Sequence, residues 1–336
     1  MKILVSTELG DAELARIREA AGDAQVEYVP HDESGPMDPD LLRDVDVLLC
    51  QFPPENFEAF ENIKWVQVTS AGYAQLLDLG LPEKGIAATN GLGVFDIPIA
   101  EWNILMLLYW HRHMPEMEEN QRQHNFDRSA QYQREIRGSV VGFYGYGGLA
   151  RETARLAKTM GIEVWVLTRN GSTKAREGIF CVEGTGDPEG VLPDRVFSAD
   201  EDEAFLSGVD YLVLSIPLTP ATEGLIGERE LKLMKDDAVL LNPARGPIVQ
   251  LEALIQCMEE GWIRGASLDT HYAYPLPEDH PVWELPNTML TPHISGSALS
   301  PKYPERVTEV FVQNLGRFQA GKPFINRLSD SQLRGE

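Results

Sequence analysis

The chain has 336 residues, 43% of them hydrophobic, and a formal net charge of −23. This length suits two domains, and the composition supports sizeable cores and argues against general disorder. The acidic balance argues against nucleic acid and anionic membrane as partners, since both need basic surface. The first hundred residues alternate short apolar strands with helical segments. The expected strands are Ile3–Ser6, Val26–Val29, Val47–Cys50, Trp65–Thr69 and Ala87–Thr89, with helices at Asp11–Ala21 and Pro39–Arg43. Such alternation predicts an α/β fold with a parallel sheet wrapped by helices. A long apolar helix follows from Ile97 to about His113, with Pro98 in its first turn, where proline is tolerated. Its buried positions are expected at Ala100, Leu105, Leu107 and Leu108.

The segment SVVGFYGYGGLARETARLAKTMGIEVWVLTR (139–169) is the most informative in the chain. An apolar run, Val140–Tyr144, leads into Gly145-Tyr146-Gly147-Gly148-Leu149-Ala150, then a helical pattern, then a second apolar run, Val164–Leu167. Strand, glycine turn, helix and strand form the context in which a Gly-x-Gly-x-x-Gly/Ala match signals dinucleotide binding. Gly145 permits the tight turn, Gly147 lets backbone approach a pyrophosphate, and Ala150 is small enough for close helix–strand packing. The helix N-terminus offers N–H groups and a positive dipole end to the phosphates. Later strands are expected at Tyr211–Ile216, Ala238–Asn242, Ala266–Asp269 and Met289–Thr291. The Gly-, Pro- and Asp-rich stretch from Asn170 to Asp200 reads as a surface excursion. A last helix, Pro304–Ala320, carries Val307, Val310, Phe311, Leu315 and Phe318 at helical spacing. Because it follows the second sheet, it is expected to return to the first domain.

No apolar run reaches membrane-span length. The opening MKILVSTELGD turns acidic at once and reads as a first strand, not a signal peptide. Cys50, Cys181 and Cys257 are odd in number and widely spaced, as expected of free thiols in a reducing cytoplasm. None of the seven histidines forms a ligand cluster with cysteine, so no zinc or other metal site is expected. Nine of the 29 basic residues are lysines. Acidic, lysine-poor surfaces occur in salt-adapted proteins and in many ordinary enzymes, and charge alone does not choose between them.

Three C-terminal segments place polar residues at strand ends, where open α/β sheets hold their ligands. They are LLNPARGPIV with Arg245, GASLDTHYAYPLPEDHPVW, and NTMLTPHISG with His293. With the glycine loop, these resemble the D-isomer-specific 2-hydroxyacid dehydrogenases. The resemblance covers nearly the whole chain through TSAGY (69–73), AEW (100–102), LTPATEGLI (218–226), NPARG (242–246), HPVW (280–283) and TPHISG (291–296). The style of KWVQVTSAGYAQLL is similar to the glyoxylate/hydroxypyruvate-reductase branch.

The resemblance implies a two-domain protein with a cleft between the domains. One domain is a discontinuous, flavodoxin-like substrate domain of residues 1–97 and 292–336. The other, residues 98–291, is a doubly wound Rossmann-type domain for the cofactor. It implies interconversion of a 2-keto acid and a D-2-hydroxy acid by hydride transfer. Arg245 would donate forked hydrogen bonds to the keto acid's carboxylate and carbonyl. Backbone N–H groups of Ser70, Ala71 and Gly72 would hold the carboxylate, and His293 would protonate the carbonyl oxygen. Phe95, with Tyr73 and Trp283, is a candidate pocket wall, although aromatic residues at such positions also serve as core. The cofactor is expected against Gly145, Tyr146, Gly147, Gly148, Leu149, Thr168, Arg169, Pro217, Thr222, Pro243, Ala244, Asp269, Ser295 and Gly296. Relatives are commonly homodimers joined through the cofactor domain. The 97–113 helix would contribute to that contact or serve only as internal core.

Two positions depart from the family pattern. Where a glutamate usually precedes Pro-Leu-Pro and charges the histidine, this chain has Tyr274. A phenol bonds imidazole but carries no charge at neutral pH, so it does not raise the histidine's pKa as a carboxylate does. Asp269, His271 and His280 lie on the same segment as candidate substitutes. The same departure admits a formate-dehydrogenase-like oxidation, which needs no acid–base relay. It also admits a nucleotide-sensing or corepressor-like protein, against which the retention of Arg245 and His293 argues. Against formate, Phe95 and Asp96 stand where the substrate-binding asparagine and its neighbour are sought. The second departure ends the second strand. An acid about 20 positions past the glycines marks NAD by bonding the ribose hydroxyls. Here Thr168, Arg169 and Asn170 fill the slot. A hydroxyl and a guanidinium suit a 2′-phosphate, so NADP(H) is expected over NAD(H), with Lys174 and Arg176 adding positive potential if their loop folds back.

Overall fold

The computed structural model describes residues 1–31, 35–128 and 135–335. In chain order its elements begin β1 (Lys2–Val5), α1 (Asp11–Ala21), β2 (Gln25–Tyr28), α2 (Pro39–Leu42), β3 (Val47–Cys50), β4 (Trp65–Val68) and β5 (Ala87–Thr89). Then come α3 (Asp96–His111), α4 (Met114–Arg122), β6 (Val140–Tyr144), α5 (Gly148–Thr159), β7 (Glu163–Leu167) and β8 (Arg195–Phe197). They are followed by α6 (Asp202–Leu206), β9 (Tyr211–Leu214), α7 (Glu228–Leu233), β10 (Val239–Asn242), α8 (Leu251–Glu260), β11 (Gly265–Leu268) and β12 (Thr288–Leu290). The chain closes with α9 (Lys302–Gln319) and α10 (Asp330–Leu333). The chain divides into two compact units, Met1–Phe95 with Glu177–Val182 and Ala298–Glu336, and Asp96–Arg176 with Glu183–Ser297.

The first unit is a parallel five-stranded sheet in the order β2-β1-β3-β4-β5, the flavodoxin-like order. Strands β3 (VLLC) and β4 (WVQV) are buried at every position, as a sheet covered on both faces requires. On one face Leu4, Leu48 and Val66 pack with Leu42, Leu76 and Leu81. On the other, Ile3, Val47 and Trp65 meet α1 and α9. Trp65 stacks on Phe311 of α9 at 5.1 Å and 15°. Val307, Val310, Phe311 and Leu315 are all buried, so the helical stripe read in the last helix lies on this sheet.

The second unit is a parallel seven-stranded sheet in the order β12-β11-β10-β9-β6-β7-β8. Strand order reverses between β6 and β9, and ligands of such sheets lie beyond the carboxyl ends of the strands at that reversal. The glycine turn follows β6. Helices α3 and α5 cover one face, burying Trp102, Met106, Trp110, Ala150 and Ala154 against the sheet. Trp110 donates its indole N–H to Ser267 Oγ at 2.8 Å.

Four expectations change. Leu105 is exposed and Leu108 half-buried, because α3 is apolar around its circumference and periodicity could not select its inner face. The inner face is instead the stripe of Trp102, Met106 and Trp110. The 170–200 stretch is not only a surface excursion: it contains edge strand β8 and the segment Glu177–Val182, which belongs to the first unit with Phe180 buried. A three-residue strand beside Gly- and Pro-rich chain leaves too short an apolar pattern to read. Strand β9 stops at Leu214, where Ser215 Oγ turns to donate to the carbonyls of Tyr144 and Gly145. Finally, the second unit runs on to Ser297, so His293 belongs to it and not to the substrate-side segment expected from 292. No described helix is long and apolar enough to cross a membrane.

Candidate active site

The glycine turn joins β6 to α5. Gly145 has φ +93°, a conformation side chains rarely adopt, and a Cβ there would lie 2.6 Å from Ile216 Cγ2. Gly147 caps α5 with extended backbone. A Cβ on it would meet only Ser215 O at 3.9 Å, so space is open beside Gly147, whereas a Cβ on Gly148 would strike the Asp96 carboxylate. The N–H groups of Gly148, Leu149 and Ala150 begin α5 and have no intrahelical acceptor. Open space beside Gly147, at the N-terminal end of a helix, fits a dinucleotide pyrophosphate. Tyr146 is committed elsewhere: its side chain is buried and donates its hydroxyl to Asp187 Oδ2 at 2.7 Å, leaving its backbone to face a cofactor.

At the end of β7 the Thr168 hydroxyl closes a turn, accepting the Ser172 N–H at 3.0 Å and donating to the Ser172 carbonyl at 3.3 Å. Arg169 is exposed. After β9 the Thr222 hydroxyl donates to Pro217 O at 2.7 Å and accepts the Thr219 N–H at 2.8 Å, holding that loop in shape. After β10, Asn242 shapes the Pro243–Gly246 turn. Its Oδ1 accepts the N–H groups of Ala244 and Arg245, both at 3.2 Å, and its Nδ2 donates to Arg245 O at 2.9 Å. Pro243 and Ala244 are buried, while Arg245 is half-buried and donates from Nη1 to Ala244 O at 2.6 Å.

Asp269, completely buried, organises the histidine loop after β12. Its carboxylate accepts Thr291 Oγ1 at 2.6 Å, Ile294 N–H at 2.9 Å, and both the N–H and the hydroxyl of Ser295. These bonds hold His293 at φ +57°, a left-handed conformation that costs about 1–2 kcal/mol in a non-glycine residue. Ser295 is therefore an anchor, with Gly296 half-buried behind it. His293 is exposed at the loop's tip. Its imidazole is held below the usual histidine range, first by partial burial, then by the charge of Arg245, with Asp269 opposing and His271 assisting. Arg245 and His293, far apart in sequence, thus act on each other.

Tyr274 does not repeat the role of a charged glutamate. Its ring lies 5.3 Å from that of His293, but its hydroxyl accepts the His271 N–H at 3.1 Å. Of the candidate substitutes, His280 is engaged elsewhere: Nδ1 accepts the Val282 N–H and its ring stacks on Tyr272. His271 is buried and bonds through Nε2 to the Thr291 carbonyl at 2.8 Å, two residues from His293. Trp283 is half-exposed and donates its indole N–H to Pro277 O, which sets it on its own loop.

In the first unit, the loop after β4 carries Ser70, Ala71 and Gly72. The Ser70 hydroxyl donates to Gly72 O at 2.7 Å, Gly91 N–H bonds Ser70 O, and Asn90 Nδ2 bonds Ala71 O at 2.6 Å. Among the described residues, the N–H groups of these three have no acceptor, which leaves them for an anion. Phe95 stacks on Tyr303 at 5.1 Å, and Tyr73 packs partly buried against the sheet core.

A family model described as "D-isomer specific 2-hydroxyacid dehydrogenase, NAD binding domain" matches residues 104–295, more than half of the chain. The chain belongs to this family. As a member it is an NAD(P)-dependent oxidoreductase that interconverts 2-keto and D-2-hydroxy acids. A glyoxylate reductase of Thermofilum pendens is 29% identical, over 82% of this chain and 78% of that one. A glyoxylate reductase of Thermococcus gammatolerans is also 29% identical, over 89% and 87%. The structure of a D-isomer specific 2-hydroxyacid dehydrogenase from Xanthobacter autotrophicus in complex with NADPH and MES superposes with TM-score 0.76 at 26% identity, covering 99% of both chains. That of an NADPH-dependent glyoxylate/hydroxypyruvate reductase from Sinorhizobium meliloti superposes with TM-score 0.77 at 23% identity, a likeness of fold.

Asn242 is a site residue that sequence reasoning passed over as a structural part. Asn242 stood in the quoted NPARG motif, and an amide beside a strand-end turn is a signal for local capping.

Proposed function

We propose that this chain is an NADP-preferring reductase of small 2-keto acids of the glyoxylate or hydroxypyruvate kind. The observation that carries the reaction is the placement of Arg245 and His293 on the loops that follow β10 and β12 of one sheet, near enough for the arginine's charge to act on the imidazole. Residues 1–95 with the C-terminal segment serve the substrate, and residues 96–297 serve the cofactor. The amides of Ser70–Gly72 take the substrate carboxylate, and Arg245 forks onto the carboxylate and the carbonyl. An imidazolium N–H of His293 passes its proton to the carbonyl oxygen as that oxygen gains charge. Asp269 holds His293 in place for this transfer. The glycine turn and the first turn of α5 hold the pyrophosphate, and Arg169 takes the 2′-phosphate. A nicotinamide bound there would supply the hydride that the carbonyl carbon takes up. Tyr274 packs beside His293 without charging it, and burial with the charge of Arg245 holds the imidazole below the usual histidine range.

The NADP preference is supported by the absence of a carboxylate at 168–170 and by the exposed Arg169. Glyoxylate and hydroxypyruvate as substrates are supported by the glyoxylate reductases among its relatives. The same reading places the protein in the cytoplasm, as a homodimer joined through the cofactor unit. Its described cysteines are free, in keeping with a reducing compartment. A panel of 2-keto acids assayed with NADPH and with NADH tests the assignment, with turnover of glyoxylate or hydroxypyruvate expected. Formate-dependent reduction of the cofactor, or nucleotide binding with no turnover of any keto acid, would overturn it.

A further inference from the structure

We propose that Asp187 is a specificity-determining positioning residue: through a buried latch to Tyr146 and Arg151 it holds residues 173–176, with Lys174 and Arg176, as a cationic rim for a phosphate on the cofactor's adenosine ribose. The inference rests on the NADP reading above and names the device that makes the rim.

The loop between β7 and β8 is polar and mostly exposed, yet Asp187 within it is only 4% exposed. Its carboxylate accepts the Tyr146 hydroxyl at 2.7 Å and the N–H groups of Val191 and Leu192, both at 3.0 Å. Tyr146 lies inside the glycine turn. Arg151, 5% exposed and in α5, donates from Nε to Tyr146 O at 3.1 Å and from Nη1 to Asp187 O. Its Nη2 reaches the Lys174 carbonyl at 2.6 Å, and its guanidinium lies 4.8 Å from the Tyr146 ring centroid. Glu152, 2% exposed, accepts the Gly186 N–H at 2.6 Å.

These bonds fold the loop back onto the start of α5. Two further contacts pair its two arms: Arg176 N–H with Pro188 O at 3.2 Å, and the Thr173 hydroxyl with Gly190 O at 2.9 Å. A Cβ on Gly190 would lie 2.7 Å from Thr173 O, so the arms touch backbone to backbone. Residues 173–176 are therefore held on one side by Arg151 and on the other by the Asp187–Gly190 arm. They follow the Thr168–Ser172 turn that carries Arg169, which makes Arg169, Lys174 and Arg176 one run of cations supported from the glycine turn. Buried charges of this kind are weak evidence for added stability.

The test uses the full chain and two probes, 2′,5′-ADP and 5′-AMP, whose dissociation constants are measured by calorimetry for each variant. The unmutated protein is expected to prefer 2′,5′-ADP. Asp187→Asn is expected to reduce that preference about tenfold while leaving 5′-AMP affinity unchanged. The exposed-loop variant Lys174→Gln/Arg176→Gln, which leaves the latch intact, is expected to produce the same loss with an unchanged melting temperature. Equal weakening of both probes, or a preference retained in Asp187→Asn and in the double glutamine variant, would overturn the latch while leaving the NADP reading intact. No preference in the unmutated protein would overturn both.

Discussion

At the residue scale, the decisive departure is Tyr274. A carboxylate beside His293 would favour imidazolium; here burial and Arg245 lower its pKa instead, and Asp269 only partly compensates. Reduction consumes the protonated form, so kcat/KM for the keto acid should fall as pH rises through a midpoint below the usual histidine value of about 6.5. Oxidation consumes the neutral form and should hold its rate upward from that midpoint. Tyr274→Glu is expected to move the descending limb of the reductive profile up by about one pH unit. An unmoved limb would show that the glutamate position does not control His293 in this chain. His293→Gln removes the proton donor and should lower kcat for reduction by about 10²- to 10⁴-fold below that midpoint, with the gap narrowing as pH rises above it. At the adenosine end, Arg169→Ala should raise KM for NADPH about tenfold and leave that for NADH unchanged. Comparable catalytic efficiency with both cofactors before mutation would remove the basis for that expectation.

At the element scale, the site depends on how the loops after β10, β11 and β12 fit together. The turn carrying Arg245 and the segment carrying His271 meet at Gly246, where a Cβ would lie 2.5 Å from the His271 carbonyl carbon and 2.6 Å from its oxygen. Backbone cannot yield as a flexible side-chain tip can. Gly246→Ala is therefore expected to cost about 1–3 kcal/mol in denaturant unfolding and to lower kcat/KM through Arg245. An unchanged unfolding midpoint would show that the two loops tolerate separation. The loops' design was only partly legible in the sequence. Arg245 and His293 could be named because each sits in a motif at a strand end. Asp269 could be nominated but not explained, because its role is a set of hydrogen bonds to residues more than twenty positions away. The inner face of α3 was unreadable for a different reason: a helix apolar all round carries no angular signal.

At the scale of the whole molecule, the sequence carries a net charge of −23 with only nine lysines, and self-repulsion opposes compactness. Salt screens such repulsion over about 10 Å at 0.1 M. Raising sodium chloride from near zero to about 0.5 M should therefore raise the melting temperature by a few degrees, read by differential scanning calorimetry. A melting temperature that falls with salt would show that its ion pairs, such as Lys158–Asp194 and Arg229–Asp202, outweigh the repulsion. By itself the sequence determined the two α/β sheets and the glycine turn, and it nominated Arg245 and His293 as the proposed site pair. These depend on local signals: alternation of strand and helix, glycine spacing, and short motifs at strand ends. Only the tertiary structure decided that Asp269 holds the histidine loop, that Tyr274 bonds the His271 backbone, and that the polar loop after β7 is latched through Asp187. Each depends on contacts between residues distant along the chain, and such contacts leave no periodicity for a sequence to display.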